Sequence, residues 1–243
     1  MAKINIKPVT KSRLAKIAAE KEAELNALPE GVGDAIRCHE EWVNSQGEDG
    51  FKMDLRGENL ANIKLTVFYK LDEAELRNTD LSNAQIYASL NKACLAKCRL
   101  VNSCFGGTLK KANFDGAEGE NVSFNACDCS GAGFNNAILI KSNFSYANFE
   151  EASFENADLS EANFKGARLE SADFCYANLK GANLMGTHGL ATADFYGADI
   201  SGAKLPLCDI TMAQLSSCRY TPELAQMIQT KYYLLKGMET ENI

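Results

Sequence analysis

The side chains best equipped for chemistry in this 243-residue chain are its nine cysteines, its two histidines and its 32 carboxylates. A thiolate is a nucleophile and a metal ligand, and thiols with imidazole can close a tetrahedral zinc site. The cysteines are Cys38, Cys94, Cys98, Cys104, Cys127, Cys129, Cys175, Cys208 and Cys218. Their number is odd, and Met1–Thr10 carries lysines without an apolar run. Neither a secretory signal nor a disulfide framework is therefore expected, and a reducing cytoplasm is the expected compartment. No Cys-x-x-Cys pair occurs, and with only His39 and His188 available a zinc site is not expected. Neither histidine has a serine or cysteine dyad partner by sequence, so each is given a structural role. Adjacent carboxylates such as Glu150 and Glu151 have the type for acid–base work but no pocket to do it in. Phosphate loops and dinucleotide fingerprints are absent from the sequence. The expectation is a chain without catalytic residues, metal or cofactor.

These residues are set out by a repeat of five. Ala-Asn-Phe-Asp-Gly at 112–116 returns as Ala-Asn-Phe-Glu-Glu at 147–151, Ala-Asp-Leu-Ser-Glu at 157–161 and Ala-Asn-Leu-Lys-Gly at 177–181. A large apolar centre falls every five residues from Phe114 to Leu184, broken only by Gly119 and Cys129. Two residues before each centre sits a small residue, usually alanine. The series starts at Leu55 and runs to Tyr220 with single-residue slips. Steps of six separate Leu65 from Leu71 and Leu184 from Leu190, and steps of four separate Ile86 from Leu90 and Phe105 from Leu109.

A period of five is neither the 3.6 of a helix nor the 2 of a strand, and it predicts a backbone that turns a corner every five residues. Four sides close a square coil with the centre and the small residue inside. Alanine suits the inner corner because the cross-section has no room for more. Coils stacked about 4.8 Å apart satisfy the backbone, and roughly 8.5 of them make a rod about 40 Å long. Residues twenty apart then stack: Phe114, Phe134, Phe154, Phe174 and Phe195 on one wall, Leu139, Leu159 and Leu179 on the next, Phe124, Phe144 and Phe164 on another. The register places Cys98, Cys127, Cys208, Cys218 and His188 in the inner small slot and Cys129 at a centre. Cys94, Cys104 and Cys175 face outward as the thiols open to reaction.

These residues resemble the pentapeptide-repeat family, whose motif is a small residue, Asp or Asn, Leu or Phe, and two variable positions. The match covers about residues 53–221 and implies an all-β solenoid, a right-handed quadrilateral β-helix of about eight coils. His39, Trp42, Gly47, Gly50, Asp54, Leu55, Gly57 and Leu60 are similar to a lead-in found before many bacterial and phage-borne members.

A solenoid must be capped at both ends. Residues 1–50 read as an N-terminal helical cap, 51–221 as the repeats, and 222–243 as a C-terminal helix and tail. Leu14, Ile17, Ala18, Leu25 and Leu28 recur at helical spacing from Lys11 to Leu28. A second helix is expected from Gly33 to about Gln46, with Ile36, Trp42 and Val43 inward and Trp42 covering the first coil. After Thr221-Pro222-Glu223, Leu224, Met227, Ile228, Leu234 and Leu235 form an apolar stripe. That stripe serves either as a lid on the last coil or as a homodimer interface.

The net charge of −7 speaks against direct nucleic-acid binding, and no apolar run is long enough to cross a membrane. Residues 51–113 hold six acids and ten bases, whereas residues 114–200 hold thirteen acids and four bases. The Phe114–Phe195 wall carries Asp115, Glu155, Asp173 and Asp194 without a base. The preceding wall carries Asp128, Glu150, Glu151 and Glu170 against Arg168, and the Phe124–Phe164 wall carries no acid. The acidic half spans roughly 21 Å, over which duplex DNA carries about 12 phosphate charges. Two readings follow. The first is a non-catalytic scaffold or regulator that binds another protein through the bare wall or the N-terminal helices. The alternative, implied by family members that protect gyrase, is a DNA mimic that binds a type II topoisomerase through its acidic walls.

Overall fold

The computed structural model describes residues 11–206, 217–223, 226 and 230. From Asp54 onward each five-residue unit makes the same moves. The carbonyl of a centre accepts the N–H three residues on, as from Ala117 to Phe114 at 2.9 Å and from Ala157 to Phe154 at 3.0 Å. The residue two after the centre has positive φ, 57° at Asn136 and 58° at Glu151. This is a type II turn, which demands a left-handed residue at its third place and explains why Asn and Gly crowd that position. The corner therefore has its own sequence rule, beyond simple exposure to solvent.

Between corners the residue just before each centre bridges its counterpart one coil on, always in parallel. Asn113, Gly133, Ser153, Asp173 and Asp194 form one such column, and three more columns follow the other walls. The result is a β-helix. Its interior holds the expected ladders. Phe114, Phe134, Phe154, Phe174 and Phe195 stack at 4.9 to 5.1 Å with planes within 8° of parallel. Phe105, Phe124, Phe144 and Phe164 form the second ladder at 4.7 to 5.4 Å. The two ladders meet edge to face, as Phe114 and Phe124 do at 5.3 Å and 89°, the arrangement ring quadrupoles favour. Stacking repeats at the coil spacing, so one backbone distance serves both the hydrogen bonds and the rings.

The slips have physical causes. At the two four-residue steps the chain skips a turn and stays extended, as β2 (Gln85–Ser89) and β3 (Cys104–Thr108). Ile86, Ala88 and Leu90 then point inward at a period of two. β1 (Lys64–Lys70) precedes them with an irregularity between Leu65 and Tyr69, and the three strands form a parallel sheet in the order β1-β2-β3. The step from Leu184 to Leu190 corrects one expectation. Thr187, not His188, occupies the inner slot, and His188 is exposed while bridging Arg168. The five-residue count runs unbroken through Thr187, and the extra residue enters afterwards at Gly189, in a 3₁₀ turn over Leu190–Thr192. A Cβ at Gly189 would lie 2.5 Å from the Glu170 N, so the insertion tolerates only glycine.

Two helices precede the coils, α1 (Lys11–Asn26) and α2 (Val32–Asn44), both slightly shorter than the sequence suggests. Leu25, Val32 and Ile36 are buried with the first coil. Leu14, Ile17 and Ala18 are exposed instead, because α1 reaches β1 and α2 through its later residues, Lys21, Glu24 and Leu25. Trp42 and Val43 are only half-buried. Trp42 lies against His39, whose ring it stacks on at 5.5 Å, and His39 is the residue that goes fully inside. His39 Nδ1 accepts the Met53 N–H at 2.9 Å and thereby ties α2 to the chain entering the first coil.

Burial lowers the His39 pKa below its ordinary 6.5, and the accepting nitrogen must stay unprotonated to hold Met53. A lowered folded-state pKa means that this contribution is complete above about pH 6.5 and is lost as pH falls through the folded value. We expect Trp42 fluorescence to report loosening of the helices under mild acid. His39→Phe should abolish that transition, and its persistence would exclude His39 as the cause.

Candidate functional site

The interior leaves nothing for a substrate among the described residues. The void ringed by Val32, Ile36, Met53, Leu55, Leu60 and their neighbours amounts to about 10 Å³. Inner-slot polar atoms are turned to the backbone. Thr79 Oγ1 donates to the Leu55 carbonyl at 2.9 Å, and the Cys98 and Cys127 thiols donate to the Leu76 and Phe105 carbonyls at 2.8 and 3.2 Å. Among the described residues, the surfaces open to a ligand or partner are the outer walls and a groove of about 700 Å³ between α1 and the first coil.

The Asp or Asn before each centre has a local task. Its Oδ1 accepts the N–H two residues on, as from Ser130 to Asp128, Cys175 to Asp173 and Tyr196 to Asp194. Asn143, Asn163 and Asn183 do the same for Ser145, Lys165 and Met185. The turn needs an acceptor, and either residue supplies one. The charge of Asp128, Asp173 and Asp194 is therefore not required by the fold.

The acidic wall residues divide into two groups. Asp128 pairs with Lys110 at 3.0 Å, and Glu150 and Glu170 flank Arg168 at 3.4 and 3.5 Å. Burial acts to raise the Asp128 pKa, but Lys110 and Ser130 outweigh it and hold the carboxyl low. These surface pairs are worth at most about 1 kcal/mol each, and they reduce the field of that wall. On the other wall Asp115 Oδ1 accepts the Asn135 N–H at 2.9 Å. Glu151 occupies a left-handed corner. Glu155 follows Phe154 on the wall of Asp173 and Asp194, near Tyr176, which meets Tyr196 edge-on at 5.5 Å. At its start this same wall carries Asp54 and Glu75 beside Arg56 and Arg77, with Arg56 paired to Asp54 at 2.6 Å, so the wall loses its acidic excess toward the first coil. The stripe of Leu224, Met227, Ile228, Leu234 and Leu235 lies outside the described residues, as does Cys208.

The Phe124–Phe164 wall looks different. Asn143, Asn163 and Asn183 form a ladder, with amide contacts of 3.5 and 3.2 Å, and Asn125 donates to the Ser145 carbonyl at 3.0 Å. Tyr146 and Met185 stand on this wall, 60% and 44% exposed. The Tyr146 ring lies over Gly166, where a Cβ would come within 2.7 Å of it. Tyr87 over Gly106 and Tyr176 over Gly197 repeat the device. The signal was present in the sequence as a tyrosine followed one coil later by glycine.

The outward thiols are not equivalent. Burial, Asp173 and Asp194 raise Cys175 to about 12, so it is poor in thiolate despite its place on the wall. Cys94 accepts an Arg77 N–H at 3.5 Å and carries no such burden of neighbouring acids. Iodoacetamide at pH 8 should modify Cys94 at least about tenfold faster than Cys175, as read by peptide mass spectrometry. Equal rates would refute this ordering. Among the described residues no cluster of His, Cys, Asp and Glu could hold a metal, and no helix is long and apolar enough to cross a membrane.

A family model for pentapeptide repeats matches eight copies over residues 120–156 and 152–188. A comparison with curated protein sequences finds no match. Among solved structures the chain is similar to QnrB1, a plasmid-mediated fluoroquinolone resistance protein, with a TM-score of 0.49 and 19% identity over 75% of this chain and 97% of that one. It is also similar to HetL, a pentapeptide repeat protein involved in heterocyst differentiation regulation from the cyanobacterium Nostoc sp. strain PCC 7120. That likeness has a TM-score of 0.26 and 22% identity over 63% of this chain and 85% of that one. Rfr23 from the cyanobacterium Cyanothece 51142 gives a TM-score of 0.26 at 19% identity, over 63% and 84% of the two chains.

Proposed function

The chain is a pentapeptide-repeat protein, and from that premise we propose that it is a non-catalytic scaffold or regulator that binds another protein. We assign a helical cap to residues 1–50, a right-handed quadrilateral β-helix of about eight coils to 51–221, and a C-terminal helix and tail to 222–243. The last part closes the final coil or pairs with a second copy. A reducing cytoplasm suits the free thiols Cys94, Cys98, Cys127 and Cys129.

The observation that carries this reading is the Asn143–Asn183 wall. It is free of acids in a chain of net charge −7, and it presents Tyr146 and Met185 beside a hydrogen-bonded asparagine ladder. Tyrosine and methionine with few charges are the composition of interface cores. Capture of a partner from the native cell should be lost with Tyr146→Glu and Lys165→Glu together. It should survive neutralisation of Glu150, Glu151, Glu155 and Glu170 to glutamine, and the opposite pattern would remove this reading.

The second reading, mimicry of DNA toward a topoisomerase, is favoured by one feature, the base-free run of Asp115, Glu155, Asp173 and Asp194. The ion pairs of Asp128, Glu150 and Glu170, and the balanced end of the wall where Arg56 pairs with Asp54, weigh against it. A supercoiling assay with purified gyrase tests it, and unchanged activity at micromolar protein would end it.

A further inference from the structure

Tyrosines stand on the outer walls in two different settings. Tyr146 is on the acid-free wall, whereas Tyr176 and Tyr196 are on the wall of Asp173 and Asp194. Tyr176 and Tyr196 are each 55% exposed, and their rings meet at 90° with centroids 5.5 Å apart. One face of Tyr176 rests on Gly197, where a Cβ would come within 2.6 Å of the ring, so the other face looks outward. The backbone does not favour this placement. Tyr176 holds φ of 58° at a corner where glycine or asparagine would sit with less strain. Together the two rings bound an open right-angled corner of aromatic surface.

The carboxylates beside that corner carry charge the fold does not require. Asp173 and Asp194 bridge each other in adjacent coils, which puts them about 4.8 Å apart along the column. Each accepts one N–H of its own turn, from Cys175 at 2.8 Å and from Tyr196 at 2.9 Å, as Asn143 and Asn163 do without charge. Stacked acids repel, and the bases of the adjoining walls are engaged elsewhere. Lys180 pairs with Asp199 at 3.2 Å, and Arg168 lies between Glu150 and Glu170. Cys175 sits between the two aspartates, and burial together with their charge raises its thiol to about 12.

Carboxylates alone would attract any cation, and the rings narrow the choice. A guanidinium is planar, weakly hydrated and bears donors on separate nitrogens. It can lie on a tyrosine face while it donates to two carboxylates. An ammonium is a compact, strongly hydrated point charge and gains less from the flat surface.

We propose that Tyr176, Tyr196, Asp173 and Asp194 form a subsite for an arginine side chain of a partner protein. This rests on the chain being a binding protein, but it uses a wall separate from that of Tyr146. It also differs from a DNA-like row of charge, which needs no aromatic surface and does not tell arginine from lysine.

The probe is an acetylated and amidated glycine-rich peptide with one arginine, titrated at low salt into the full isotope-labelled chain. The Tyr176 and Tyr196 ring resonances should shift, and the arginine side-chain protons should move upfield in the ring currents. Lysine in place of the arginine should weaken binding about threefold. Asp173→Asn/Asp194→Asn keeps both turn acceptors, so circular dichroism should be unchanged while binding falls at least about tenfold. Tyr176→Asn/Tyr196→Leu, read at the Asp194 amide, should abolish the preference for arginine over lysine. Tyr146 is the internal control: it rests on Gly166 in the same way, with no acid on its wall, and its ring should not shift. No ring shift at tens of millimolar peptide would overturn the proposal. So would lysine binding as tightly as arginine, which is charge attraction alone, or binding that survives the double asparagine variant. An equal shift at Tyr146 would overturn it as unspecific stacking. Partner capture through the Tyr146 wall is read separately, so failure at this corner leaves that reading intact.

Discussion

Replacing Phe144 with alanine should lower the unfolding free energy by about 3–5 kcal/mol. Phe144 is fully buried, stacked 5.4 Å from Phe124 and 4.7 Å from Phe164. Phe134, Phe149 and Phe154 meet it edge-on at 6.3, 5.4 and 6.1 Å. Removing the ring opens a gap in its own ladder and strips edge contacts from the other. The coils above and below are held at fixed spacing by their hydrogen bonds, so they cannot collapse into it. Phe144→Leu is the control. Leucine fills the equivalent slot at Leu184 on the same wall, so the loss should stay under about 1.5 kcal/mol. Denaturant unfolding followed by circular dichroism measures both, and equal losses would show that the ring does not sit in a stacked interior.

Gly50→Ala should loosen the N-terminal helices by about 2–4 kcal/mol while leaving the coils folded. Gly50 has φ of 75°, and a Cβ there would overlap the Cys38 carbonyl oxygen and lie 2.8 Å from the Trp42 N. The Cys38 carbonyl accepts the Phe51 N–H at 3.2 Å, so the clash falls on the hydrogen bond that brings the chain off α2. Trp42 is the only tryptophan and stacks on His39. Its fluorescence should therefore unfold at lower denaturant than the far-ultraviolet signal of the coils, where the parent shows one transition. Coincident transitions in the variant would remove the claim that this glycine locks the helices to the first coil. The two substitutions act on separate structural layers, the ring ladder and the entry to it.

The coil was legible because one residue in five is large and another, two places earlier, is small. That pattern states which atoms face inward and how far apart the coils stack. The ladder through Phe114 and Phe195 could be written down from spacing, even across a slip. The thiols followed from the same count: Cys98, Cys127 and Cys129 are buried where the register puts them. His188 was misplaced because the spacing shows that a residue has been added between Leu184 and Leu190, but not where. The answer depended on Gly189 passing close to Glu170.

The ends were less legible. Helical spacing located α1 and α2, yet Leu14 and Ile17 are exposed and His39 is buried in place of Trp42. Amphipathic periodicity shows that a helix has an apolar face but not how far along its length another surface covers it. Likewise the acids could be assigned to walls by arithmetic, while their pairing with Lys110 and Arg168 could not. Ion pairs cross between coils at positions set by side-chain reach. By itself the sequence determined the repeat, the interior and the face of each wall, because these obey a local rule applied coil after coil. Only the tertiary structure decided which carboxylates are neutralised and which tyrosines lie flat on a glycine. Those depend on contacts between segments about twenty or more residues apart, for which a five-residue motif carries no instruction.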